Sequence, residues 1–152
     1  MSKRLEDTVT LGAAWWRELG SFVIREIRQL TSSGEGVGGR FKEYSRAYRR
    51  HKTTGEPRIP RQSDYSAKPN LRLTGEMMND LQQIGYSNHG VTIGWPAHGG
   101  KVEENAAQGR AISTKENPLA QPVAEKVKNR FHEGIEKALK EARFDKTVRI
   151  GK

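Results

Sequence analysis

Val9, Ala13, Trp16, Gly20, Val23, Ile27 and Leu30 recur at alternating steps of four and three. That spacing lays one apolar stripe along a helix of about seven turns, and a stripe of that length has to be buried. Asp7 and Thr8 have the chemistry of N-terminal caps, and Ser32, Ser33 and Gly34 close the helix. Gly20 interrupts the stripe at a cost of roughly 1 kcal/mol relative to alanine, which predicts that another backbone approaches there. Trp15 falls off the stripe and faces a different partner.

The rest of the chain has little apolar material to cover such a stripe. Of 152 residues, 34% are hydrophobic and 30% charged. This predicts a single domain, 1–152, with a small core and long appendages: an N-terminal helix (1–33), a basic arm (34–70), a strand–helix–hairpin region (71–117) and a C-terminal helix (118–152). The formal charge of +9 points to an acidic partner or a nucleic acid. Without cysteine, disulfides, thiol catalysis and cysteine-based metal centres are excluded. No apolar run approaches the ~20 residues that span a bilayer, and no signal-peptide order begins the chain, so a soluble, unprocessed protein is expected.

Between Gly34 and Pro69 nine basic residues face four acidic ones, which places +5 of the net +9 in this arm. The basic residues are Arg40, Lys42, Arg46, Arg49, Arg50, Lys52, Arg58, Arg61 and Lys68. Phe41, Tyr44 and Tyr48 have the i, i+3, i+7 spacing of a short helix with an aromatic face and a basic back. Gly55, Pro57, Pro60 and Pro69 then predict an extended path, so the segment reads as a docking arm. Its candidate partner-binding residues are Arg40, Phe41, Tyr44, Arg46, Tyr48, Arg49, Arg50, Arg58 and Arg61.

In "NLRLTGEMMNDL" Leu71 and Leu73 alternate as a strand, Thr74 caps a helix, and Met77, Met78 and Leu81 turn inward. Ile84 and Tyr86, then Val91, Ile93 and Trp95, alternate around an Asn88-His89-Gly90 turn, which predicts a hairpin with one apolar face. Lys101 to Gln108 forms two helical turns ended by Gly109, and Arg110 to Thr114 returns as a strand. Val123, Val127, Phe131, Ile135, Ala138, Leu139 and Ala142 give a last amphipathic helix, begun at Pro118 or Pro122, with Glu133/Lys137 and Glu136/Lys140 on its outer side. Thr147 to Ile150 reads as a final strand. The expected class is α+β: a small antiparallel sheet against the long N- and C-terminal helices, with a long extended basic arm.

Catalytic signatures are missing from this order. His51, His89, His98 and His132 lack metal-ligand spacing and read as turn or surface residues. "GEGVGGRFK" follows a helix and lacks the Gly-Lys-Ser/Thr ending of a phosphate loop, so a flexible hinge is expected. There is no GxSxG, and Glu103-Glu104 and Asn79-Asp80 sit in mixed-charge helical surroundings. A helix-turn-helix is ruled out by Gly85, Gly90 and Gly94 in its would-be recognition helix. Neither catalysis nor a cofactor is expected; a toxin-like nuclease has no catalytic constellation to support it. The basic arm with interleaved aromatics leaves a DNA-binding accessory protein as the alternative reading.

The succession "FKEYSRAYRRHK", "LRLTGEMMNDL", "VTIGW", "VEENAAQG" and "NPLAQPV" between two long helices resembles the small head-to-tail connection proteins of tailed bacteriophages. This group includes the tail-completion, neck, virion-morphogenesis and minor-tail families. The matching positions are Leu71, Leu73, Thr74, Gly75, Leu81, Val91, Ile93, Gly94, Gly109, Pro118 and Leu119. The chain departs from the group's pattern at Glu104 to Gly109 and at Pro118-Leu119-Ala120. The resemblance implies a non-catalytic virion protein at the head–tail junction, made in the host cytoplasm. Its partners would be its own copies, in a homo-oligomeric ring (hexamer or dodecamer), and neighbouring neck, connector or tail-tube proteins, with DNA in the channel and no membrane.

Overall fold

The computed structural model describes residues 10–150, with side chains described as far as Ala142. Asp7, Thr8 and Val9 lie outside the described residues. The elements are α1 (Ala13–Ser32), β1 (Glu35–Gly36), β2 (Gly39–Arg40), α2 (Arg46–Thr54), α3 (Glu76–Asn79), β3 (Gln82–Ser87), β4 (Gly90–Gly94), α4 (Gly99–Ala107) and α5 (Gln121–Ile150). The strands form two separate antiparallel pairs, β1–β2 and β3–β4, so the fold is α+β.

β1, β3, β4 and α5 all pack on α1. This helix begins at Ala13 behind Gly12, whose position has no side-chain cap of its own. The cap arrives from the β3–β4 turn: Asn88 Oδ1 accepts the Ala13 N–H at 3.0 Å, and the Trp16 indole N–H donates to the Asn88 carbonyl at 3.0 Å. Asn88→Ala is therefore expected to cost about 1 kcal/mol, as for a lost N-cap, measurable by thermal unfolding. The C-terminal end closes as expected, with Ser33 N–H donating to Gln29 and Leu30 carbonyls and Gly34 at φ 84°.

Leu19, Gly20, Val23 and Ile27 bury the stripe against β3–β4 and the core. At Gly20 the close neighbours are side chains, not a backbone: an added Cβ would stand 2.7 Å from Gln83 Cδ and 2.8 Å from Val91 Cγ2. The hairpin has the expected turn, but its apolar face is smaller than the alternation predicts. A register shift between Gln83 and Gly85 throws Ile84 onto the outer face above Gly94, where it is 59% exposed. Val91 and Ile93 remain toward the core.

α5 packs chiefly on α1 rather than on the sheet, a correction to the expected layering. Trp15 supplies the seam, edge-on to Trp16 at 5.1 Å and to Phe131 at 5.7 Å, with Gly134 leaving room for its ring. Lys126 Nζ donates to the buried Glu26 carboxylate at 2.5 Å, and that hydrogen bond holds the Glu26 pKa below its ordinary value against the opposing effect of burial. α5 continues as helix through Thr147 to Ile150, so no final strand forms there.

Two further predicted strands are absent because their backbones have no ladder to join. Leu71 takes φ 54°, and the Leu73 carbonyl receives both the Ser63 and Asp64 N–H groups. Arg110 to Thr114 is irregular, with the Ala111 carbonyl accepting from Val37 at 3.0 Å. Gly75, at φ 84°, makes the passage into α3 and occupies the cap position. Thr74 sits one residue earlier, its hydroxyl 3.4 Å from the Glu76 N–H. Met77, Met78 and Leu81 turn into the core as expected.

α3 is held at both sides by charged groups. Arg28 from α1 donates to the Met78, Asn79 and Leu81 carbonyls, closing its C-terminal end. Asp80 Oδ2 accepts the Ala97 and His98 N–H groups at 2.9 and 2.8 Å and so caps the start of α4. Burial raises the Asp80 pKa, but these two N–H donors and His98 bring it below the ordinary aspartate value.

The 34–70 segment is folded back instead of extended. The glycine run expected as a hinge is the β1–β2 hairpin, with Glu35 opposite Arg40 and Gly36 opposite Gly39. Phe41 is not on a helix: it is a core residue, 5% exposed, in one cluster with Leu19, Val23 and Ile27. α2 starts later, at Arg46, because Ser45 Oγ accepts the Tyr48 N–H at 3.2 Å, and Gly55 ends it in the left-handed region at φ 69°.

Candidate functional site

A groove of about 890 Å³ lies between the start of α2, the 71–77 segment and α4. Tyr44, Tyr48, Leu71, Leu73 and Met77 supply its apolar lining, and Lys42, Lys101, Arg110, Glu43 and Glu76 its charged lining. The chain thus brings together two sets of residues that the sequence separates, the arm aromatics and the Leu71-Leu73-Thr74-Gly75 motif. Sequence reading had no means to place Lys101, Asn105 and Arg110 beside them.

Tyr44 organises the groove. Its ring centre lies 4.7 Å from that of Tyr48, 5.1 Å from the Arg110 guanidinium and 5.4 Å from the Lys52 ammonium. Its hydroxyl accepts the Leu71 N–H at 3.0 Å, which ties the arm to the 71–77 segment. Burial pushes the phenol up to about 12, so it is neutral throughout the physiological range; burial raises Tyr48 as well. Arg110, 7% exposed, spends its charge internally: it donates to the Lys42 carbonyl at 3.4 Å and to Gln108 Oε1.

The wall behind Tyr44 is a polar network that no motif signals. Lys52, 0% exposed, donates to Asn70 Oδ1 at 2.9 Å and the Lys68 carbonyl at 3.3 Å, and pairs with Asp64 Oδ1 at 3.4 Å. Asp64 Oδ1 also accepts the Ser66 N–H at 2.7 Å, and Oδ2 accepts from Asn70 at 2.7 Å. Burial alone would raise the Asp64 carboxyl, but those hydrogen bonds and the Lys52 charge bring it down to about 2. Burial in turn lowers the Lys52 pKa, with Asp64 opposing. Gln62 completes the clamp, donating to the Lys52 carbonyl at 2.5 Å and the Asp64 carbonyl at 3.0 Å.

The predicted partner-binding residues divide into four groups. Arg46, Arg49 and Arg50 are exposed together on one side of α2, and Arg40, Arg58 and Arg61 are exposed outside it. Arg61 lies 3.7 Å from Glu76, and Arg40 stands opposite Glu35 in the β1–β2 pair. Tyr44 and Tyr48 line the groove. Phe41, as core, is withdrawn from any partner.

Among the described residues no group of three or more His, Asp or Glu side chains is placed to hold a metal ion. His98 serves the Asp80 cap at 3.4 Å, and His51 Nδ1 lies 2.9 Å from the Glu56 carbonyl. No described helix is long and apolar enough to cross a membrane. Comparison with protein-family models, curated proteins and solved structures finds no match to this chain.

Proposed function

We propose that the chain is a non-catalytic structural protein of a tailed-bacteriophage virion, assembling as a homo-oligomeric ring at the head–tail junction. There it joins the capsid connector to the tail and keeps the DNA channel continuous. The ordered motifs from Leu71 to Leu119 are the basis of the phage assignment. The observation that carries the docking mode is the pinning of α2: Lys52 fixes the helix from inside while Arg46, Arg49 and Arg50 face solvent. Cations on a rigid support meet an acidic neighbouring subunit without the ordering cost that a free arm incurs. The adjacent groove, with its tyrosine and leucine lining, supplies an apolar seat beside that charge.

Replacing Arg46, Arg49 and Arg50 together by Gln is expected to leave the melting temperature nearly unchanged, since exposed substitutions shift stability by about 0.5 kcal/mol or less. Joining to purified neck or tail particles should fall sharply, and closed rings should disappear from native mass spectra. Normal incorporation of that variant into particles would overturn the docking assignment. Under the alternative reading, a DNA-binding accessory protein, the same variant loses DNA affinity instead.

A further inference from the structure

We propose that a second groove, enclosed by α1, β3 and α5, binds the phosphodiester backbone of a nucleic acid. It holds about 630 Å³, and none of its residues lines the first groove. Arg17, Phe22 and Arg25 come from α1, Tyr86 from β3 and Arg130 from α5, with Glu18 as the one carboxylate. Three cations against one anion leave this cleft locally positive. No sequence pattern marks this cleft, because Arg17 and Arg25 meet Arg130 only through the packing of α5 on α1.

Arg17 and Arg130 are positioned by rings rather than carboxylates, and Arg25 by a ring and Glu26. Arg25 and Arg130 lie 5.2 and 4.9 Å from the Phe22 ring centre, and Arg17 lies 5.9 Å from that of Tyr86. A cation–π contact orients a guanidinium without consuming its N–H donors. Arg17 and Arg130 donate to no protein acceptor among the described residues, and Arg25 has only Glu26 at 3.7 Å. The donors are therefore in place and available.

A polymer of repeated anions fits this arrangement better than an acidic protein surface does. Arg17 and Arg25 are eight residues apart on one helix, roughly 12 Å, so separate, non-adjacent phosphates of one strand can engage the two arginines. A protein partner needs an apolar anchor pocket at the centre of its interface. Here the apolar lining is Ala14 and a Phe22 ring flanked by two guanidinium groups. Tyr86, 53% exposed, adds a ring on which a base of a single strand can stack.

The test is fluorescence anisotropy on the full chain at about 50 mM salt, with a labelled oligothymidylate of about 16 nucleotides, a duplex of equal length and polyglutamate. Arg17→Gln/Arg130→Gln is expected to weaken oligonucleotide binding about tenfold and to flatten the salt dependence by roughly 1.4, at about 0.7 per phosphate contact on a single strand. Its thermal unfolding should match the unmodified chain. Arg46→Gln/Arg49→Gln/Arg50→Gln should retain the affinity. A Tyr86→Ala loss confined to oligothymidylate would assign the ligand as a single strand; equal affinity for both probes would assign backbone contact alone. The proposal is overturned if the chain binds neither oligonucleotide, if it prefers polyglutamate, if Arg17→Gln/Arg130→Gln binds as before, or if the α2 variant abolishes binding.

Discussion

Gly36→Ala is expected to destabilise the protein by about 3 kcal/mol, lowering the melting temperature by roughly 6–12 °C. A Cβ at Gly36 would stand 2.1 Å from the Ala111 carbonyl oxygen and 2.6 Å from the Phe41 ring. Neither neighbour yields cheaply. The Ala111 oxygen is backbone, fixed by the Val37 N–H at 3.0 Å, and Phe41 is packed in the core. Relief means breaking that hydrogen bond or displacing Phe41, and either adds to the overpacking cost. Gly38 is two residues away with open space around its Cβ position, so Gly38→Ala should melt like the unmodified chain. If the two variants melt alike, β1 does not pack on the Ala111 segment.

That contrast marks where sequence reading stops. Periodicity finds α1, α5 and the β3–β4 hairpin because their apolar spacing is local, and Gly109 marks the end of α4. Periodicity misses the bulge at Gln83–Gly85, which inverts Ile84, since a one-residue insertion leaves the alternation of letters intact. It reads Leu71-Leu73 as a strand because alternation alone does not show whether a partner strand exists; the partner is a loop at Ser63-Asp64. In the sequence Phe41 has the basic neighbours of a docking residue, and Lys52 is one more charge of the arm. Long-range contacts decide both, and only Asp64-x-Ser66 carried a local hint, as an Asx-type turn. The first groove was half legible: its aromatics and leucines were singled out, its cations from α4 and beyond were not.

Lys52→Met is expected to cost about 3–5 kcal/mol near neutral pH, the range for removing one partner of a buried ion pair. The ammonium is wholly covered, and its loss leaves the Asp64 carboxylate without its counter-charge and Asn70 Oδ1 and the Lys68 carbonyl without the ammonium donor. The cost arises from the stranded carboxylate more than from the vanished bond, because burial already disfavours the lysine charge. Lys52→Met/Asp64→Asn should therefore recover about 1–2 kcal/mol of the loss, a coupling readable in urea unfolding. The pH dependence follows from the same pair. Asp64 has a folded pKa of about 2 against an ordinary 3.8, so its contribution of about 2 kcal/mol is full above pH ~4 and is lost as pH falls through about 2. The deficit of Lys52→Met should shrink over that interval, since a protonated Asp64 no longer needs a cation. A deficit that stays constant from pH 6 to pH 2, or a double variant as unstable as the single, would show that Lys52 acts by filling space rather than by charge. If α2 docks as proposed, its loss carries the Arg46-Arg49-Arg50 face with it, so Lys52→Met should reduce particle joining together with the melting temperature, whereas the surface variant should reduce joining alone.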